Sequence, residues 1–324
     1  MKKNIAIIKG GYSSEYDISL KSGAVVEKHL NKEKFNLFPI IISTNSWYYT
    51  MDNGDEIEVN KHDFSLGLPA GIVHFDCVFN AIHGTPGEDG LLQAYFELLS
   101  IPQTSCHSYQ AALTFNKRDL LSCLKPQGIP CATSYYLNQG QTYDIATIVE
   151  KVGLPCFVKA NRAGSSFGIS KVYAKEEFDA ALDKAFEEDD EVIIESFLEG
   201  TEISIGVLTY NGNTKVLPIT EIVSENDFFD FSAKYEGKSQ EITPARITER
   251  QQKNAESMAK KIYNLLKMKG YTRSEFIFQG DIPYLLEVNT TPGLTEESIL
   301  PQQAQVAGFT LSELFESAIN EALK

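Results

Sequence analysis

The chain has 324 residues, 43% hydrophobic and 23% charged, which is apolar material for more than one compact core. Its 44 acidic against 29 basic residues give a formal charge of -15. That argues against nucleic acid or an anionic membrane as partner, and an anionic substrate would need a locally basic pocket. No stretch approaches the roughly 20 apolar residues that span a bilayer. The apolar run behind Lys2 and Lys3 is too short for a signal peptide. Five cysteines without a Cys-x-x-Cys pair fit reduced thiols, and no two histidines stand at zinc-ligand spacing. A cytoplasmic protein is expected.

In chain order, residues 4–8 read as a buried strand ending before Gly10-Gly11, with Ser13 or Ser14 capping a helix that runs to about Leu30. Residues 35–42 and 75–79 read as further strands and 89–99 as a helix, which together imply an open parallel sheet. A helix is expected over 114–124, stopped before Pro126, then a strand at 156–159. A glycine- and serine-rich loop at 163–168 precedes a strand at 169–173 and a helix over 176–187. A third segment starts with the strand 191–195 and continues with 203–210. Residues 224–245 lack apolar periodicity and read as a functional lid or a disordered loop. Residues 250–269 form an amphipathic helix with Ala255, Met258, Ile262, Leu265 and Leu266 on one side. A hairpin over 273–278 and 284–289 turns at Gly280-Asp281. The expected units are 1–104, 105–190 and 191–324.

The most informative cluster is Arg273, Glu275, Glu287 and Asn289. Residues two apart on a strand share a face, so pairing of the two strands would gather two carboxylates and an amide oxygen. Such hard oxygens suit Mg2+, with nucleotide phosphates completing the shell. Alone, the cluster reads equally well as surface charge on a hairpin. The loop Ala163-Gly164-Ser165-Ser166-Phe167-Gly168 behind Lys159 could cradle phosphate with its backbone N–H groups, or be a plain turn. There is no G-x-x-x-x-G-K-[ST], and no G-x-G-x-x-G after the first strand. Glu195-Ser196-Phe197-Leu198 could present backbone groups to an adenine edge. Glu15 at a helix start could hold an ammonium group, or simply complement the helix dipole. The segment His83-Gly84-Thr85-Pro86-Gly87-Glu88-Asp89-Gly90 could be only a loop, and Lys234-Tyr235 a solvated stretch of the lid.

Taken in order, these motifs resemble the D-alanine–D-alanine ligase family of the ATP-grasp superfamily, nearly end to end. Gly10-Gly11-x-Ser13-x-Glu15-x-x-x-Ser19 is similar to the N-terminal signature of that family. His83-Gly84 with Gly87-Glu88-Asp89-Gly90 is similar to its second signature, and Lys159 with Gly164-Ser165-Ser166-x-Gly168 to its phosphate loop. Ala233-Lys234-Tyr235 is similar to the lid, and residues 286–295 (LEVNTTPGLT) to the closing signature. The resemblance implies an α/β three-domain ATP-grasp ligase, α+β in its ATP-grasp part. Two D-alanines would be joined through an acyl phosphate for peptidoglycan precursor synthesis.

Carried over residue by residue, it implies that Lys117 and Lys159 hold phosphates with Ser165 and Ser166. Glu195, Phe197 and Leu198 line the adenine, and Glu202 takes the ribose. Glu275, Glu287 and Asn289 bind two Mg2+ ions, with Mn2+ able to replace them. Glu15 holds the first amino group, Arg273 and the Gly293 N–H stabilise the oxyanion, and Ser298 meets the second carboxylate. Tyr235, Ser165 and Glu15 close the lid, with Lys234 reaching the transferred phosphoryl group. The family also implies a homodimer. Glu275 stands where Asp is usual and Ala160 where Pro is usual. Tyr235 favours an amine acceptor over a hydroxy acid. The competing expectations are an ATP-grasp ligase with another acceptor, and a non-catalytic nucleotide sensor.

Overall fold

The computed structural model describes residues 2–164, 167–224 and 239–324, arranged around three sheets. The first contains β1 (Lys3–Gly10), β2 (Phe35–Ile42), β3 (Trp47–Thr50), β4 (Glu56–Asn60), β5 (Ser65–Leu68), β6 (Gly71–Val73) and β7 (Cys77–Asn80), in the order β6-β5-β4-β3-β2-β1-β7. β1 is parallel to both β2 and β7, but β2 to β6 form an antiparallel meander. The sheet is therefore mixed, not open parallel as expected. The added strands are three to five residues long, too short for a period-two pattern to stand out. β1 is covered on both faces, with Ile5 and Ile7 on one side and Ala6 and Ile8 on the other, so it reads as a continuous apolar run.

After β1 the chain turns at Gly10 and Gly11, both at positive φ, and enters α1 (Tyr16–His29). Neither Ser13 nor Ser14 caps this helix. Glu15 occupies the N-cap position without a side-chain cap bond, while Ser13 Oγ accepts from the Glu15 N–H (3.3 Å) and donates to the His83 carbonyl (3.2 Å). α2 (Leu91–Leu98) follows β7. The single helix expected over 114–124 is two, α3 (Ser108–Phe115) and α4 (Lys117–Leu124). Asn116 between them is extended (φ -89, ψ 99), and its side chain accepts from Asp119 N, capping α4.

The second sheet is antiparallel, in the order β10-β9-β11-β8, from β8 (Ser134–Asn138), β9 (Cys156–Ala160), β10 (Ser170–Val172) and β11 (Glu191–Ser196). α5 (Ile145–Val152) and α6 (Phe178–Phe186) cover one face. β11 was expected to open the C-terminal unit, but it pairs with β8 and β9, and its Val192 and Ile194 enter the core of this sheet.

The third sheet has the order β15-β14-β12-β16-β17, built from β12 (Glu202–Tyr210), β14 (Thr220–Ser224), β15 (Ser239–Ile242), β16 (Tyr271–Gln279) and β17 (Ile282–Asn289), while β13 (Asn213–Val216) pairs with β12. Of the span 224–245, read as a functional lid or a disordered loop, Ser224 ends β14 and residues 239–242 form β15; residues 225–238 lie outside the described ones. α7 (Glu249–Leu265) begins with a Thr248/Gln251 capping box and buries Ala255, Ala259, Ile262 and Tyr263. Leu265, expected on the buried side, is 40% exposed. α8 (Ile299–Val306) and α9 (Leu311–Ala322) close the chain. α9 packs against the first sheet, with Phe315 and Phe79 rings 5.7 Å apart, so the two ends of the chain share one core. Among the described residues no helix is long and apolar enough to cross a membrane.

Candidate active site

The β16–β17 hairpin carries the expected cluster. Its register sets Arg273 against Asn289 and Glu275 against Glu287, so all four project from one face, just before a bulge at Glu275/Phe276. Arg273 Nη2 donates to Glu275 Oε1 at 2.6 Å, and Asn289 Nδ2 to Glu287 Oε1 at 3.4 Å. α4 brings Lys117 to the same place. Its Nζ lies 3.6 Å from Glu287 Oε2 and donates to the Ala163 carbonyl at 2.8 Å, at the mouth of the 163–168 loop. Glu275 is 4% exposed and backed by the Arg273 charge. Two carboxylates in register with an amide oxygen beside them are a donor set that fits Mg2+, with room for phosphate oxygens to complete the shell. The longer side chain of Glu275 removes no ligand group.

On the neighbouring sheet, antiparallel pairing of β9 with β11 sets Lys159 beside Glu195, with Nζ to Oε2 at 2.9 Å. Burial works against the Lys159 charge, but Glu195 and, further off, Glu287 and Glu202 outweigh it and hold the ammonium above its usual range. Glu195 is 3% exposed, and its Oε1 has no hydrogen-bond partner among the described residues. The Phe157 and Phe197 rings lie 6.3 Å apart, and Lys171 Nζ sits 4.2 Å from the Phe197 centroid. Leu198 follows directly, and Glu202 opens β12. Two aromatic rings thus stand beside a buried Lys159–Glu195 ion pair.

A cavity of about 430 Å3 lies between the hairpin and the first sheet. Glu15, Arg273, Glu287, Asn289, Gly293 and Ser298 all line it. Gly164 also faces it; a Cβ there would lie 2.5 Å from Glu15 Oε2, which explains the glycine. A Cβ at Gly293 would lie 2.8 Å from Ser298 Oγ, which itself pairs with Thr295 Oγ1 at 2.7 Å. Ser165, Ser166, Lys234 and Tyr235 lie outside the described residues.

Several wall groups were given no role from sequence. Lys21, His83 and Glu88 line the cavity, and Ser22 stands behind it. Burial lowers the His83 pKa, with Glu15 pulling the other way; burial and then Glu15 raise Glu88 to about 8. One available signal was Ser19 and Ser22 three apart on α1, which puts two hydroxyls on the helix face that is fully buried.

Residues 4–106 match the family model described as D-ala D-ala ligase N-terminus, and 124–320 the model described as D-ala D-ala ligase C-terminus. A D-alanine--D-alanine ligase of Flavobacterium johnsoniae is 61% identical over 321 residues, covering 99% of each chain. One of Christiangramia forsetii is 56% identical, covering 100% of this chain and 99% of its own. The solved VanG D-Ala:D-Ser ligase of Enterococcus faecalis superposes with a TM-score of 0.86 at 31% identity, covering 99% of this chain and 100% of that one. D-alanyl-alanine synthetase A of Vibrio cholerae superposes with a TM-score of 0.88 at 26% identity, covering 100% and 99%. With both halves matched and close relatives aligned end to end, the chain belongs to the D-alanine–D-alanine ligase family.

Proposed function

We propose that the protein joins two D-alanines to D-alanyl-D-alanine, driven by ATP, for peptidoglycan precursors. The carrying observation is one cavity lined by Glu15, Arg273, Gly293 and Ser298 that opens onto the Glu287–Lys117 pair. The amino acids and the phosphates thus share a wall, as acyl-phosphate chemistry needs.

In this reading the adenine packs at Glu195, Phe197 and Leu198, and Glu202 takes the ribose. Lys117 and Lys159, with Ser165 and Ser166, neutralise the phosphates, and Lys234 reaches the transferred group. Glu275, Glu287 and Asn289 would hold two Mg2+ ions, or Mn2+ in their place, which would supply Lewis-acid charge. Glu15 accepts the ammonium group of the first D-alanine and leaves its carboxylate facing the γ-phosphoryl group. Oxygen–phosphorus bond formation releases ADP and gives the acyl phosphate. The amine of the second D-alanine, with its carboxylate held at Ser298, then attacks the acyl carbon. Arg273 and the Gly293 N–H receive the oxyanion before phosphate leaves. Closure by Tyr235, Ser165 and Glu15 excludes water from the acyl phosphate.

The same reading takes the protein as a cytoplasmic homodimer without nucleic-acid or membrane partners, consistent with its charge of -15. It divides the chain at about residue 104 and, because β11 pairs in the second sheet, after Ser196. ADP release from MgATP that requires D-alanine, with D-serine and D-lactate compared as acceptors, tests it. Release that ignores D-alanine would defeat it.

A further inference from the structure

We infer that Ser22 and His83 form a directional hydrogen-bond relay that pins the loop carrying Gly293. The inference rests on the reading of Gly293 as an oxyanion donor. Among the described residues, side chains from the first ninety residues bind the loop after β17 at three backbone points. The Thr291 N–H donates to Glu88 Oε1 (3.3 Å), His83 Nδ1 meets the Thr291 carbonyl (2.8 Å), and the Leu294 N–H donates to Ser22 Oγ (3.3 Å). A carbonyl can only accept, so Nδ1 carries the His83 proton. Burial keeps the ring neutral, which leaves Nε2 bare. Nε2 therefore accepts the Ser22 hydroxyl proton at 2.9 Å, and the Ser22 lone pairs turn to the Leu294 N–H.

Each proton has one place. The chain of bonds starts at Leu294, passes through Ser22 and His83, and ends at Thr291, so it closes around Pro292 and Gly293. Ser22 is 0% exposed and stands behind the cavity wall, so its bonds to His83 and Leu294 are shielded from bulk water. Between the pinned points stand only a proline, whose φ is fixed, and the glycine. Helix α1 and the 83–90 loop, both attached to the first sheet, therefore set the direction of a backbone N–H in the third. Ser22 and His83 are positioning residues for that donor.

The test uses the full chain with Ser22→Ala, His83→Asn and the double variant. Asn keeps a donor near the Nδ1 position and removes Nε2. Two readouts are taken: amide hydrogen exchange of peptides spanning 290–296, and steady-state kinetics of dipeptide formation. Each single variant is expected to speed exchange at Leu294 about tenfold or more and to lower kcat about tenfold. The KM for ATP should stay within about twofold, and the double variant should resemble the singles because both break one relay. If His83→Asn does not fold, His83→Gln, which keeps a group near Nε2 and gives up the Thr291 bond, carries the same expectation. Unchanged exchange, or kcat losses that multiply in the double variant, would overturn the relay. Faster exchange with unchanged kcat would overturn the link to catalysis and the reading of Gly293 with it. A wild-type protein inactive with D-alanine would defeat the functional reading, while the exchange comparison would still uphold or overturn the clamp.

Discussion

Arg273 holds two relationships at once, an ion pair with Glu275 and a place on the cavity wall. Removing it outright would leave Glu275 buried without its cation, so the informative change is Arg273→Lys. A lysine keeps the charge but loses the planar fork that reaches Glu275 and, in the proposed reading, the oxyanion as well. We expect kcat to fall by about 100-fold while the KM for ATP changes by less than about threefold. Equal turnover in the variant would remove Arg273 from the transition state. His83 gives a separate prediction about stability. Its folded pKa is lowered from 6.5, so as pH falls below about 6.5 the unfolded chain takes up a proton that the folded one refuses. The histidine therefore weakens the fold on the acid side and has no such effect above that pH. His83→Asn should lose less stability than wild type between about pH 6.5 and 5, measured by urea unfolding at each pH. Parallel curves would contradict a buried neutral imidazole.

Elements place these residues, and here sequence was informative in some places and silent in others. The hairpin was legible because period-two spacing, an apolar run before Glu287 and a Gly280-Asp281 turn all agree, and the register follows. Lys159 and Glu195 were each legible, but their pairing was not, because it depends on β11 crossing into the second sheet. The break at Asn116 was missed because helix-forming residues flank it on both sides; its capping bond to Asp119 N outweighs continuation. His83 was singled out only as part of a motif and Ser22 not at all, because their roles come from partners more than 200 residues away, which no local pattern encodes. Gly200 shows how tightly two elements meet. A Cβ there would lie 1.9 Å from the Phe278 carbonyl oxygen, an atom of β16 that cannot swing aside. Gly200→Ala should therefore destabilise the fold by about 3 kcal/mol, read from denaturant midpoints. A loss under about 0.5 kcal/mol would mean that the β11–β12 connection yields freely.

At the scale of the whole molecule, the first sheet and the last helix share a core, with Phe315 of α9 against Phe79 of β7 and Tyr271 of β16 in the same cluster. This joining ties together the first and third sheets, between which Glu15 and Gly293 line one cavity. Phe315→Ala should cost about 3–5 kcal/mol of unfolding free energy; a loss below about 1 kcal/mol would show that the ends of the chain fold separately. The net charge of -15 fits a site whose cations, Lys117, Lys159 and Arg273, are concentrated where phosphates and carboxylates would meet. The central claim is that the carboxylate of one D-alanine attacks the γ-phosphoryl group. The direct measurement is turnover of MgATP with D-alanine labelled by 18O in its carboxyl group, followed by mass analysis of the dipeptide and of the released phosphate. The account predicts D-alanyl-D-alanine, ADP, and phosphate carrying one labelled oxygen; unlabelled phosphate, or label found in AMP, would contradict it.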